Sequence, residues 1–201
     1  ELPHVPRLTV SSSWSKGTLT VTVRQAISDE RPRYTIPFEV ELGGEEATVH
    51  RGVVTDKKVQ LQIPLDAEPT YVAFDPRAGI LSKLEHKQSD EAWEAQLSSK
   101  SPAAVFRAID ALAETDHAEP LSGVLSDTSR HFLVRTEAAR ALGKQRRTDL
   151  LMPHVGDSHD RVRQAVVRGL GTGTDGTALV VLERAFRKDA NPDVRSAALS
   201  S

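Results

Sequence analysis

His154, Asp157, His159 and Asp160 lie within seven residues of one another. Imidazole and carboxylate groups at that density are the ligand types from which a tetrahedral zinc site is assembled. The same segment can equally form a polar turn between two helices, with Asp157 or Asp160 accepting from the unpaired amides at a helix start. The turn is the better account, because the residues after it repeat a pattern found elsewhere in the chain. No metal ligand is therefore assigned. His117 and His131 fall at helix junctions without ligand spacing, and His4, His50 and His86 are isolated. Ser11 to Ser13 and Ser98-Ser99 flank element ends, and none stands in a Gly-x-Ser-x-Gly elbow, so no nucleophile is assigned. Gly169 to Gly176 has the glycine density of a phosphate loop. No Lys-Ser or Lys-Thr follows it and no strand precedes it, so it reads as a helix end and turn. The chain thus offers no catalytic residue, and its substrate-binding residues are unknown.

The repeating pattern is the strongest feature of the second half. Ala104-Val105 runs to Ala111-Leu112-Ala113, and Val134-Arg135 to Ala141-Leu142-Gly143. Val162-Arg163 runs to Gly169-Leu170-Gly171, and Val194-Arg195 to Ser201. The copies start 30, 28 and 32 residues apart. Small and apolar residues at helical spacing with such a period mark stacked helical hairpins. The motif helices are expected at Ala103–Glu114, Leu133–Gly143, Asp160–Gly171 and Pro192–Ser201. Their partner helices are expected at Leu121–Leu125, Asp149–Val155 and Thr177–Lys188. Asp127, Asp157 and Asp189 precede the Val-Arg pairs, and Arg135, Arg163 and Arg195 fall in the first turn of the helix that follows. Such residues can pair between neighbouring units or cap amides. Arg140, Arg146, Arg147, Arg161 and Arg168 spread over two repeats and read as a solvated face, because acidic residues balance them.

The first half has a different period. Leu19 to Val23, Ile36 to Leu42 and Val59 to Leu65 alternate apolar and polar residues, as in antiparallel strands with one wet face. Leu8 to Val10, Ala47 to Val54 and Tyr71 to Phe74 supply further strands, and Lys16-Gly17, Gly43-Gly44, Asp56-Lys57 and Asp75-Pro76 supply turns. Pro37 and Pro64 interrupt alternating runs and predict edge or bulge positions. Ile80, Leu81 and Leu84, then Trp93 and Leu97, fit helical spacing, with Ser89-Asp90 as a helix start. Trp93 is expected to pack where the halves join, and Trp14 is either core or an exposed anchor. The predicted fold is a small antiparallel β-sandwich over 1–82, a junction helix and linker over 83–101, and a HEAT-like helical array over 102–201. That array is a right-handed α-α superhelix read as continuing beyond Ser201.

Composition narrows the function classes. There are 26 Lys and Arg against 28 Asp and Glu, and the aromatic content is 4%. Neither half has a basic excess, so nucleic acid is not expected as a partner. No apolar run approaches the ~20 residues that span a bilayer, so no membrane is expected. Cysteine is absent, which excludes disulfides and thiolate metal sites and leaves the compartment open. No targeting segment is recognisable in a chain that begins without Met.

The strand half resembles the C-terminal region of the M1 family of zinc aminopeptidases. Gly17 to Gln25, Tyr34 to Leu42, Lys58 to Pro64, Val72 to Pro76 with Ile80-Leu81, then Trp93, Gln96-Leu97 and Arg107 to Leu112 carry the resemblance, over roughly residues 7–113. In that family a β-sandwich follows the catalytic domain and a helical, often HEAT-like domain follows the sandwich. The resemblance implies a parent that removes N-terminal amino acids from peptides. It would use zinc held by a His-Glu-x-x-His helix and a distant Glu, and a Gly-x-Met-x-Asn loop. This chain has no His-Glu dipeptide, and its one methionine, Met152, precedes Pro153. The expectation is a non-catalytic scaffold or lid that works beside the parent's own catalytic domain and its peptide substrate, without a cofactor of its own. A branch of the family without peptidase chemistry exists. The alternative is a protein-binding HEAT adaptor with no enzymatic role. A sugar-binding sandwich is weaker, because no aromatic stripe is present.

Overall fold

The computed structural model describes residues 5–26, 33–173 and 176–201; His4 and the Thr174-Asp175 part of the glycine-rich segment fall outside them. The chain forms two compact units, Glu1–Val105 and Phe106–Ser201.

The first unit is built on strands β1 (Arg7–Ser15), β2 (Thr18–Gln25), β3 (Ile36–Leu42), β4 (Thr48–Val54), β5 (Lys58–Pro64), β6 (Val72–Phe74) and β7 (Lys83–Lys87). One sheet has the order β5-β2-β1-β7, the other β4-β3-β6. Alternation places Leu8 and Val10, then Leu19, Val21 and Val23, then Ile36, Phe38, Val40 and Leu42 on inner faces. Val54, Ile63, Val72 and Phe74 complete a single core shared by the two sheets. The Phe38 and Phe74 rings lie 5.2 Å apart, and Gly52 leaves room for Phe38, since a Cβ there would sit 2.4 Å from the ring.

The β1–β2 hairpin turns on Lys16 and Gly17, both with positive φ, at 50° and 73°. Two such residues match the twist of the flanking strands in a two-residue loop. Pro64 ends β5, an edge strand. Pro37 lies in the middle strand of its sheet, but β6 pairs only with Val40 to Leu42, so that side of β3 is open at the proline. Asp75, with φ 46°, accepts from the Gly79 and Ile80 amides at 2.9 and 3.1 Å and closes the turn after β6.

The helical spacing read from Ile80, Leu81 and Leu84 is corrected. Lys83–Lys87 is a strand, paired in parallel with β1 from Arg7↔Lys83 to Ser11↔Lys87. Five residues with one large aliphatic carry almost no period, and pairing with β1 decides their conformation. Leu84 packs on the core, whereas Leu81 is 82% exposed.

Helix α1 (Asp90–Gln96) starts at Ser89, whose hydroxyl accepts from the Ala92 amide. Trp93 is buried and meets the His86 ring edge-on at 5.3 Å, which places it inside this unit. A polar chain fixes α1: Gln88 accepts from the Val72 amide and donates to Gln96, and Gln96 donates to the Ala104 carbonyl. Beside it the buried Glu41 carboxylate accepts from Tyr71 at 2.8 Å and from Ser99 at 2.5 Å. Burial, then the bond to Glu41, pushes the Tyr71 hydroxyl up to about 12.

Helices α2 (Pro102–Leu112), α4 (Phe132–Lys144), α6 (Asp160–Leu170) and α8 (Pro192–Ser200) carry the repeated motif. Their partners are α3 (Ala118–Ser126), α5 (Thr148–Leu151) and α7 (Gly176–Lys188). The motif positions Val134, Val162 and Val194 are all buried. Partner helix α5 is short, and a 3₁₀ turn, Met152–His154, completes it. Pro153 lacks the amide that an α-helix would require there.

Candidate functional site

The recurring geometry of the second unit lies in the turns that precede the motif helices. Asp127, Asp157 and Asp189 each accept from the backbone amide two residues on, those of Ser129, His159 and Asn191, at 3.1, 2.8 and 2.9 Å. Aspartates favour this local turn, which sets the chain entering the helix. The helix caps are other residues. His131, His159 and Asn191, each three residues before the buried valine, accept from the Leu133, Arg161 and Asp193 amides. The expectation that Asp157 or Asp160 caps α6 is corrected in part: His159 is the N-cap residue, and the Arg161 amide that it meets at 3.2 Å also donates to Asp160 Oδ1 at 2.7 Å. Histidine is not among the favoured caps, and only its register with Asn191 in the repeat could have signalled the role.

Asp157 and Asp189 also receive arginines from the preceding unit. Arg163 holds Asp189 through two bonds of 2.9 and 3.0 Å and donates a third, at 2.9 Å, to the Asp157 carbonyl of its own turn. Arg135 pairs with Asp157 and donates to the Leu125 carbonyl at 3.2 Å. Arg195 donates to the Asp189 and Ala190 carbonyls. Asp127 is bonded inside its own turn by Ser129 and Arg130; in the α2 copy, Val105 stands where the later copies have arginine. The pairing of neighbouring units is therefore a ladder from Arg135 onward.

Arg163 holds the Asp189 carboxyl below its usual range. A depressed folded value contributes stability above the unfolded-state pKa of about 4 and loses it as pH falls through the folded value. Arg163→Ala should cost about 1.5–3 kcal/mol at pH 7, the range for a hydrogen bond to a charged group. The gap from the parent chain should narrow toward pH 3. Thermal melts of both chains from pH 7 to pH 3 check this, and equal melting temperatures at pH 7 would make the ladder ornamental.

The candidate metal ligands go to other partners. Asp157 is engaged by Arg135, and His159 stacks on Phe132 at 3.8 Å and caps α6. His154 lies 3.3 Å from Ser126, and burial, then the charge of Arg135, pulls its pKa down. These residues do not fit a zinc site, and no group of three such side chains is placed to hold a metal among the described residues. No helix among them is long and apolar enough to cross a membrane. Of the arginines read as a solvated face, Arg140 pairs with Glu137, and Arg147 with Asp149 and Glu119.

A groove of about 500 Å³ runs between α2 and α4, with Phe106, Ile109 and Ala141 among its apolar lining and Arg140, Glu137 and Lys144 among its charged residues. In the first unit, half-buried Trp14 packs on the sandwich core and also lines a pocket of about 340 Å³ with Ser12, Ser13, Glu68 and Lys87.

A model of HEAT repeats matches residues 128–201. The chain is also similar to a crystal structure of Legionella pneumophila aminopeptidase A in complex with aspartic acid. The TM-score is 0.71 at 14% identity, over 98% of this chain and 31% of that one. The chain thus spans about a third of that protein's length, and at this identity the likeness is one of fold. No curated protein matches the sequence.

Proposed function

We propose that the chain is the non-catalytic sandwich-and-repeat portion of an M1-type zinc aminopeptidase, an enzyme that removes N-terminal amino acids from peptides. The observation that carries this reading is the fold likeness to an aminopeptidase over 98% of the chain, strands and helices together. The residue patterns from Gly17 to Leu112 point the same way. Zinc and the general base belong to a catalytic domain outside these 201 residues, since no His-Glu-x-x-His stands here. The role left to this portion is to buttress that domain and, through the helical repeats, to close over its cleft and restrict entry to peptide N-termini.

Two measurements on the purified chain test the assignment. It should retain no stoichiometric zinc after dialysis and release no amino acid from aminoacyl-coumarin substrates. Bound zinc at one per chain, or measurable release, would contradict it.

The second reading is a protein-binding adaptor. The HEAT match and the groove between α2 and α4 favour it, because stacked repeats present elongated binding surfaces. A saturable partner that is lost on Ala141→Glu, from a protein with no peptidase domain, would favour the adaptor.

A further inference from the structure

Ser12, Ser13 and Trp14 all line the pocket beside Trp14, although successive side chains of a strand point to opposite faces. Three consecutive strand residues meet one pocket only along the edge of the strand. That edge is open. Strand β7 pairs with β1 as far as Ser11↔Lys87, then leaves through Gln88 and Ser89 into α1. From Ser12 to Ser15, β1 is paired on the β2 side alone among the described residues. The pocket thus takes the place that a longer β7 would fill.

The other walls are fixed in place. Thr70 and Tyr71 are pinned to Gly43 by two backbone bonds of 3.0 Å. Gln88 accepts from the Val72 amide at 2.9 Å and donates to Gln96 at 2.8 Å. Several polar groups of the lining are uncommitted. The Ser12 and Thr70 hydroxyls and the Trp14 indole N–H meet no partner among the described residues, and none is sealed from solvent. Two opposite charges stand on different walls. Lys87 lies where β7 ends, and it pairs only with the exposed Glu85, at 3.2 Å. Glu68 lies four residues before Val72 and forms no ion pair among the described residues. The volume of about 340 Å³ is near the lower end of ligand sites, which run from ~300 to ~1,000 Å³, so the ligand is small.

We propose that this pocket binds a zwitterionic dipeptide lying along the open edge of β1. The ligand's main chain pairs with β1 from Ser12 to Ser15, as an added strand extends a sheet. Its carboxylate meets Lys87 and its ammonium meets Glu68, while Trp14 and Tyr71 give its side chains an apolar wall. A neutral sugar would engage the hydroxyls but leave both charges and the backbone edge without partners. All the lining residues fall between 12 and 92, inside the first unit. The proposal is independent of the peptidase assignment.

The test titrates the whole chain with alanyl-leucine and follows backbone amide and indole signals by NMR. Signals of Ser12 to Ser15, the Trp14 indole and Thr70 should shift and saturate. N-acetyl-alanyl-leucine lacks the ammonium and alanyl-leucine amide lacks the carboxylate. Each should bind about fivefold more weakly, the upper end for an exposed charge pair. Glu68→Gln should weaken alanyl-leucine by the same factor and leave the acetylated ligand unchanged. Lys87→Gln should weaken alanyl-leucine likewise and leave the amide unchanged. Both positions are exposed, so melting temperatures equal to the parent's should show that the fold is intact. The matched ligands separate lost contacts from any general loosening. No shift at these signals, or equal affinity for all three ligands in all three chains, would overturn the proposal. So would glucose moving the same signals while alanyl-leucine moves none, since a sugar would then be the occupant.

Discussion

Arg135→Ala should lower the melting temperature of the helical unit by on the order of 10 °C or more. Arg135 and Asp157 keep only 5% and 6% of their side-chain surface, the most enclosed ion pair among the described residues. Removing the guanidinium leaves a carboxylate with no counter-charge in a site that water barely reaches. Losses of about 3–5 kcal/mol are typical of such a cut. In a unit of about a hundred residues each kcal/mol moves the transition by about 4–8 °C. Asp157 also accepts from the His159 amide and so shapes the turn into α6. The informative companion is therefore Arg135→Met with Asp157→Asn, which removes both charges and keeps the turn acceptor. The double variant should melt above Arg135→Ala. If it melts lower, the penalty comes from lost packing and not from the stranded charge.

The second large effect comes from the glycines of the Ala-Leu-Gly motif. A Cβ on Gly143 would lie 2.7 Å from the Gly169 Cα, a backbone atom that cannot swing aside. A Cβ on Gly169 would lie 3.2 Å from the Gly143 Cα. Helices α4 and α6 thus touch backbone to backbone at this point. Gly143→Val should cost about 3 kcal/mol, toward the upper end for overpacking, against a helix-propensity gain of only a few tenths. Gly123, exposed in α3, has nothing within 4 Å of its hypothetical Cβ. There Gly123→Ala should stabilise by about 0.5–1 kcal/mol, because only the backbone preference changes. Denaturant melts of the two variants should move in opposite directions. A Gly143→Val chain as stable as the parent would show that the helices can separate without loss.

The repeats were legible in the sequence because the same contact recurs. Small residues at one register and valines at another mark helix faces, and all seven helices of the array lie within a few residues of their expected places. The sandwich strands were legible through alternation. What escaped has local reasons. Strand β7 is too short and too polar to show a period, and its partner β1 lies 76 residues earlier in the chain. The capping histidines escaped because imidazole is a rare cap, so the aspartates nearby drew the assignment. Asp157, His159 and His154 look like ligands in one dimension because sequence proximity does not reveal direction. In the structure one faces Arg135, one Phe132 and one Ser126. The ladder was foreseen as a pairing of aspartates with arginines, but its order was not. That Arg135 and Arg163 reach forward to the aspartate of the next unit while also bonding a backbone carbonyl ahead of their own helix follows only from the stacking.

The most direct test of the central claim is to read the gene upstream of Glu1. The account predicts a His-Glu-x-x-His helix, a downstream glutamate to complete the zinc ligands and a Gly-x-Met-x-Asn loop, all in one frame with this chain. A start codon close to Glu1, or an upstream domain without those ligands, would contradict it.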